Sequence, residues 1–327
     1  MEIPQIPSRP FGATDLALPA VSLGTAAIGR PAYLTLDHGL DIVDPTVDGM
    51  RRLAFDLLDA AYASGIRHVD TAYSYGLAER FLAEWLDATG VSDLFLTTKW
   101  GYSYVGDWRV GPDPQEVKDL SLATFARQVP LSFRRFGHRL SGLQIHSATV
   151  ESGALCDPAV LDAMRAVAEA GVHIGVSTSG LHQAAAIDRV IELRESQRVP
   201  FGVVQSTWNL LETSAGAALS RAAAAGIGVI VKESLANGLL ARGHRIPARV
   251  SAAAKRHGVG PDAICLAAAL ALDARPVVLM GPSSTAQLHE NLQALSLELS
   301  PNELEELSAD PIDPQEYWAS RAALPWT

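Results

Sequence analysis

Eight short runs rich in β-branched residues recur along the chain, and a stretch with helical spacing follows each one. The runs are AVSLG (20–24), RHVD (67–70), LFLTT (94–98), GLQIH (142–146), VHIGVS (172–177), GVVQS (202–206), IGVIV (227–231) and PVVLM (276–280). RRLAFDLLDAAYASG (51–65) and ERFLAEWLDATG (79–90) place apolar residues at helical intervals and stop at Gly65 and Gly90. PAVLDAMRAVAEAG (158–171) opens on Pro158 behind a capping Asp157, and SAGAALSRAAAAG (214–226) and TAQLHENLQAL (285–295) repeat the scheme. Unbroken β-α alternation predicts a parallel sheet with helices outside it. A doubly wound open sheet competes with a closed barrel, but a count of eight in 327 residues favours the (β/α)8 TIM barrel. No linker divides the chain, so residues 1–327 are expected to form one domain. A short N-terminal hairpin (8–19) and a C-terminal helical tail after Pro301 are expected as additions.

Composition narrows the function classes. Hydrophobic residues make up 48% of the chain and charged residues 19%, which suits a folded core. The net charge of −10 carries no basic stripe, so nucleic acid is not an expected partner. No apolar run is long enough to span a bilayer, and the first residues lack the pattern of a signal peptide. A cytoplasmic protein, monomeric or weakly self-associating, is the expectation. Cys156 and Cys265 form no CxxC pair and sit among apolar residues, which predicts core packing rather than a disulfide or zinc. HExxH and other metal-ligand spacings are absent, and so is a GxGxxG turn between a strand and a helix.

Barrels of this kind build their sites where the strands end. Polar residues fall at those ends: Asp70, Lys99, His146, Ser177 with Thr178, Gln205, Lys232 with Ser234, and Ser283 with Ser284. Each has an ordinary reading taken singly. Asp70 could cap a turn, Tyr75 could be a loop aromatic, and His146 could be a satisfied core histidine. Together, Asp70, Tyr75, Lys99 and His146 form a chemical unit. A lysine beside a phenol lowers its pKa towards working pH, and a carboxylate keeps the lysine charged. Such a phenol can protonate a carbonyl oxygen while hydride reaches the carbon, and a histidine can bond the same oxygen.

These residues resemble the aldo-keto reductase superfamily. HVDTAYSYG resembles its Asp-Thr-Ala-x-x-Tyr segment, which makes Tyr75, rather than Tyr73, the acid; TTKWG and LQIHSA resemble the segments carrying the lysine and histidine. The resemblance implies an enzyme that reduces an aldehyde or ketone with NADPH, NADH also being compatible. It also implies a cofactor groove. Ser177 and Thr178 in GVSTSG and Gln205 in VVQSTWNLL would meet the carboxamide, Thr178 standing where the family has asparagine. Lys232 stands where a nicotinamide-stacking aromatic is usual, followed by Ser234 and Leu235. Gly281, Ser283, Ser284, Gln287 and Asn291 would hold the adenosine phosphate, with Gly281 and Gln287 where cations would help. Of six tryptophans, Trp100 is the expected substrate-pocket residue, with Trp318 of the tail behind it. Segments 30–49 and 102–115 are expected at the substrate mouth, for a polar, sugar-like or aromatic carbonyl compound. Two alternatives share the resemblance: an NAD(P)+-dependent sugar or polyol dehydrogenase, and a nucleotide-sensing regulatory subunit like the family's channel β-subunits.

Overall fold

The structure is a computed structural model that describes residues 5–35, 42–111, 115–241 and 246–326. Eight parallel strands close into a barrel: β3 (Val21–Gly24), β4 (His68–Asp70), β5 (Phe95–Trp100), β8 (Leu140–Ala148), β9 (His173–Thr178), β10 (Val203–Thr207), β11 (Gly228–Lys232) and β12 (Val277–Met280). They neighbour one another in chain order, and β12 pairs back onto β3. All eight predicted runs are therefore barrel strands. Most of their residues are buried, because a barrel wall faces side chains inside and helices outside.

The helices dress that wall as their apolar spacing requires. In α1 (Val47–Ala63), Met50, Ala54, Leu57, Leu58 and Ala61 are buried, and the Thr46 hydroxyl caps the start by accepting from Gly49 N. α2 (Ala78–Thr89) stops at Gly90 in the left-handed conformation, as its sequence predicts. α3 (Leu122–Phe136), α4 (Pro158–Glu169), α5 (Gln183–Glu195) and α6 (Gly216–Ala224) continue the ring. Asp157 caps α4 with Pro158 in its first turn. Two helices, α7 (Ala248–His257) and α8 (Pro261–Leu270), lie between β11 and β12 before α9 (Thr285–Leu292). The tail forms α10 (Pro301–Ser308), with a Ser300/Glu303 capping box, and α11 (Pro314–Ala322).

The amino end of the barrel is plugged. β1 (Ser8–Pro10) and β2 (Ala17–Pro19) pair antiparallel as the predicted hairpin. Phe11 and Leu18 from it cluster with Val203, Ile230 and Val277, and Ala13 N donates to the Gly226 carbonyl at 2.8 Å. Chemistry is thereby left to the opposite end. There a second hairpin, β6 (Tyr102–Tyr104) with β7 (Glu116–Lys118), rises from the loop after β5. Only part of the two predicted mouth segments can be described, since residues 36–41 and 112–114 lie outside the described residues. Cys265 is buried as expected, whereas Cys156 is exposed beside the Asp157 cap, where the loop before α4 turns outward. No helix among the described residues is long and apolar enough to cross a membrane.

Candidate active site

A cleft of about 780 Å³ lies at the carboxyl ends of the strands. Asp70, Tyr75 and His146 line it beside Arg30, Tyr102 and Glu116, and Gln205 and residues 232–235 line its middle. Gly281, Ser283, Gln287 and Asn291 line its far side, with Asp262 from α8.

Asp70 ends β4 and is wholly buried. One carboxylate oxygen takes Lys99 Nζ in an ion pair whose two side chains are each 1% exposed. The other accepts from Thr97 Oγ1 at 2.7 Å and Gln144 Nε2 at 3.3 Å. Lys99 Nζ also donates to the Thr71 carbonyl at 3.0 Å. The ammonium lies 5.1 Å from the centre of the Tyr75 ring. Lys99 is thus held one layer beneath the cleft floor, with Asp70 and Tyr75 above it.

The turn after β4 aims Tyr75. Tyr75 N donates to the Ala72 carbonyl at 3.1 Å, and Leu77 N donates to the Gly29 carbonyl at 2.7 Å. Gly29 permits this approach, since a Cβ there would collide with the Tyr75 carbonyl. The Tyr75 ring meets His146 edge to face at 5.5 Å, and Tyr102 packs on the other side of His146 at 4.8 Å. Tyr75 lines the cleft; Tyr73 does not.

The electrostatics differ from expectation at Tyr75. Burial first, then the Asp70 carboxylate, raise the phenol well above its ordinary pKa, with Tyr33 and Glu116 adding to this and Arg30 opposing. The expected net lowering is not present, because burial and the Asp70 carboxylate together outweigh the neighbouring cations. Tyr75 therefore keeps its proton, which is the form a general acid needs. His146 is pushed well below the ordinary imidazole value by burial, and then by Lys99, Lys232, Arg30 and Lys118. It is expected to remain neutral at neutral pH, with no imidazole transition near the ordinary histidine value in heteronuclear NMR titrations. A midpoint near that value would contradict the electrostatic picture.

Gln205 is the clearest ligand-seeking group. It is fully buried and lines the cleft, and neither its Oε1 nor its Nε2 has a hydrogen-bond partner among the described residues. Leaving a buried amide unsatisfied costs about 1–3 kcal/mol, so such groups in folded proteins usually await a partner. The Ser234 hydroxyl, also lining the cleft, is in the same state.

Several expected contacts fall elsewhere. Ser177 and Thr178 are buried and do not line the cleft. The Ser177 hydroxyl accepts from Ser147 N at 2.8 Å, and so supports a left-handed backbone at Ser147 (φ 47°) just after His146. Thr178 Oγ1 donates to Ser206 Oγ at 2.9 Å, which donates to Gln183 Oε1 at 2.8 Å. Ser284 spends its hydroxyl on capping α9, accepting from Gln287 N at 3.2 Å. Trp100 is corrected outright. It ends β5 facing outwards, with its indole N–H 3.4 Å from Met164 Sδ and its ring edge-on to Phe125 at 5.1 Å. Successive residues of a strand point to opposite faces, so Lys99 turned inward puts Trp100 outward. Trp318 likewise packs on the core and does not line the cleft.

Lys232 lines the cleft but is committed to neighbours. Its Nζ donates to Thr207 Oγ1 at 2.8 Å and pairs with Glu233 at 3.3 Å. Glu233, in the left-handed region at φ 57°, also takes Arg321 of α11, whose Nε lies 2.8 Å from Oε2. Burial opposes the charged form of Glu233, but Arg321 and Lys232 outweigh it and hold the carboxyl below its usual range. Asn209 Nδ2 joins the Glu233 carbonyl and the Tyr317 hydroxyl, both at 3.0 Å. The tail is thus tied to the loop after β11, and Trp326 reaches across to Arg30. Arg30, Glu116, Glu233 and Arg321 were not among the expected site residues. They come from loops, the three-residue strand β7 and the tail, where sequence spacing carries no periodic signal.

The closed parallel barrel thus brings a tyrosine, a histidine and the aspartate of a buried lysine–aspartate pair to one cleft. The chain matches the aldo/keto reductase family over residues 49–309 and belongs to that family, whose members are oxidoreductases acting on carbonyl compounds. It is 26% identical over 283 residues to aldo-keto reductase str7 of Strobilurus tenacellus, spanning 76% of this chain and 78% of that protein. Among solved structures, PA4992 of Pseudomonas aeruginosa is similar at a TM-score of 0.64 and 25% identity, over 88% of this chain and 95% of that one. The holo form of AKR11C1 from Bacillus halodurans shares the fold at a TM-score of 0.68 and 19% identity, over 95% of this chain and 99% of that one.

Proposed function

We propose that this protein reduces an aldehyde or ketone to an alcohol with a nicotinamide dinucleotide, using Tyr75 as general acid. The observation that carries the reading is the pairing, in one cleft, of a protonated phenol beside a neutral imidazole with a buried and unpartnered carboxamide at Gln205. The dinucleotide supplies hydride when bound. Gln205 matches the donor and acceptor of a nicotinamide carboxamide, and Ser234 offers a further bond. Gly281, with open space where a Cβ would stand, leaves room for a phosphate or ribose on the far side. Tyr75 gives its proton to the substrate oxygen, and His146 donates a hydrogen bond to the same atom. Asp70 fixes Lys99, and Lys99 supports Tyr75 from beneath. The substrate is a small-molecule carbonyl compound, the proposed location is the cytoplasm, and NADPH is the proposed carrier.

The test is a fluorescence titration of the purified protein with NADPH and with NADH, followed by a screen of carbonyls with whichever binds. Gln205→Ala is expected to weaken nucleotide binding about tenfold, the value of one well-placed amide interaction. The unliganded variant should unfold at the wild-type urea midpoint or above it, since no hydrogen bond is lost. Failure of both nucleotides to bind wild type would end the enzyme reading.

A further inference from the structure

Two charge pairs flank the Tyr75 ring, and they are unequal. Beneath it, Lys99 divides its donors between Asp70 and the Thr71 carbonyl. The second pair centres on Arg30, from the segment after β3, which is 1% exposed and lines the cleft. Its guanidinium carbon is 6.0 Å from the Tyr75 ring centre, 5.5 Å from Tyr104 and 4.9 Å from Trp326. Arg30 Nη1 donates at 3.0 Å to the carbonyl of Ser74, the residue before Tyr75. The same nitrogen lies 3.1 Å from Glu116 Oε1, but this contact lacks hydrogen-bond geometry. Both Glu116 Oε1 and Arg30 Nε are without a hydrogen-bond partner among the described residues. Arg30 is thus a buried cation with an idle donor, loosely compensated, beside the phenol. Burial of that kind is costly unless it serves a charge.

We propose that Arg30 is a positioning residue of the reaction: it braces the Tyr75 turn through Ser74 and stabilises the negative charge left on Tyr75 after proton transfer. The inference rests on Tyr75 being the acid. In the step, the Tyr75 O–H bond breaks, the proton passes to the substrate oxygen as hydride arrives at the carbon, and the phenolate remains. The groups facing that phenolate are Asp70 and Lys99 beneath, His146 from β8, Tyr33 and Arg30 from the first loop, and Glu116 from β7. Those facing Arg30 are Glu116, Tyr75, Tyr104 and Trp326. Asp70 and Glu116 hold the phenol's proton on, and Arg30 works against them.

The test compares kcat and KM against pH for one accepted carbonyl in wild type, Arg30→Gln, Arg30→Lys and Glu116→Gln. Arg30→Gln is expected to lower kcat about tenfold with KM near wild type, and to move the alkaline limb to higher pH. Arg30→Lys should recover most of the rate, and Glu116→Gln should move the limb down. A raised KM with kcat and the limb unmoved makes Arg30 a substrate contact and overturns the proposal. An Arg30→Lys variant as slow as Arg30→Gln, with the limb unmoved, makes it a packing residue and also overturns it. If Arg30→Gln does not fold, the Arg30→Lys and Glu116→Gln profiles decide alone. Should Tyr75→Phe keep its turnover, the assignment of the acid fails first, and that outcome is read separately.

Discussion

Tyr75→Phe should cut carbonyl turnover by about 10²- to 10⁴-fold while nucleotide affinity stays near wild type. Only one oxygen is removed. The phenyl ring can still meet His146 edge to face and cover the Lys99–Asp70 pair, so the cleft keeps its shape. Gln205 of β10 and Ser234 of the loop after β11, which are proposed to hold the nucleotide, are untouched. The measurement is single-turnover reduction beside fluorescence titration of the same preparation. Turnover within a few-fold of wild type would remove Tyr75 from the chemistry. A collapse of both turnover and nucleotide binding would mean instead that the hydroxyl holds the cleft open.

The second large effect is on stability. Lys99→Met should cost about 3–5 kcal/mol, because it leaves the Asp70 carboxylate buried without its cation. The Thr97 and Gln144 donors remain, and they soften the loss without cancelling it. Urea midpoints of the variant and wild type would show it. A deficit under about 1 kcal/mol would mean that water reaches Asp70 when Lys99 is gone. Lys99→Met with Asp70→Asn should recover much of the loss, since the uncompensated charge is removed with its partner.

Local sequence carried the architecture. Each barrel strand was visible as a β-branched run bounded by turns, and most helices were visible from apolar spacing and caps, because those signals depend on chain geometry within a few residues. Asp70, Lys99 and His146 were legible as candidates for a related reason, that strand ends fix where such side chains emerge, whereas Tyr75, in the turn after β4, was named from the family resemblance. The β6–β7 hairpin was not legible, since strands of three residues leave no measurable alternation. Trp100 was misplaced because adjacency to Lys99 in the chain means opposition across a strand.

What the chain determined by itself is its eight-fold alternation and the polar residues at one end of it, since both follow from short-range steric and hydrophobic periodicity. Only the tertiary structure decided which of those residues meet. It left Gln205 without a hydrogen-bond partner among the described residues, locked Thr178 into Ser206 and Gln183, and paired Lys99 with Asp70. It also brought Arg30, Glu116 and Arg321 to the cleft from segments far apart in the chain. Burial and through-space charge govern those outcomes, and neither is a property of neighbouring residues along the backbone.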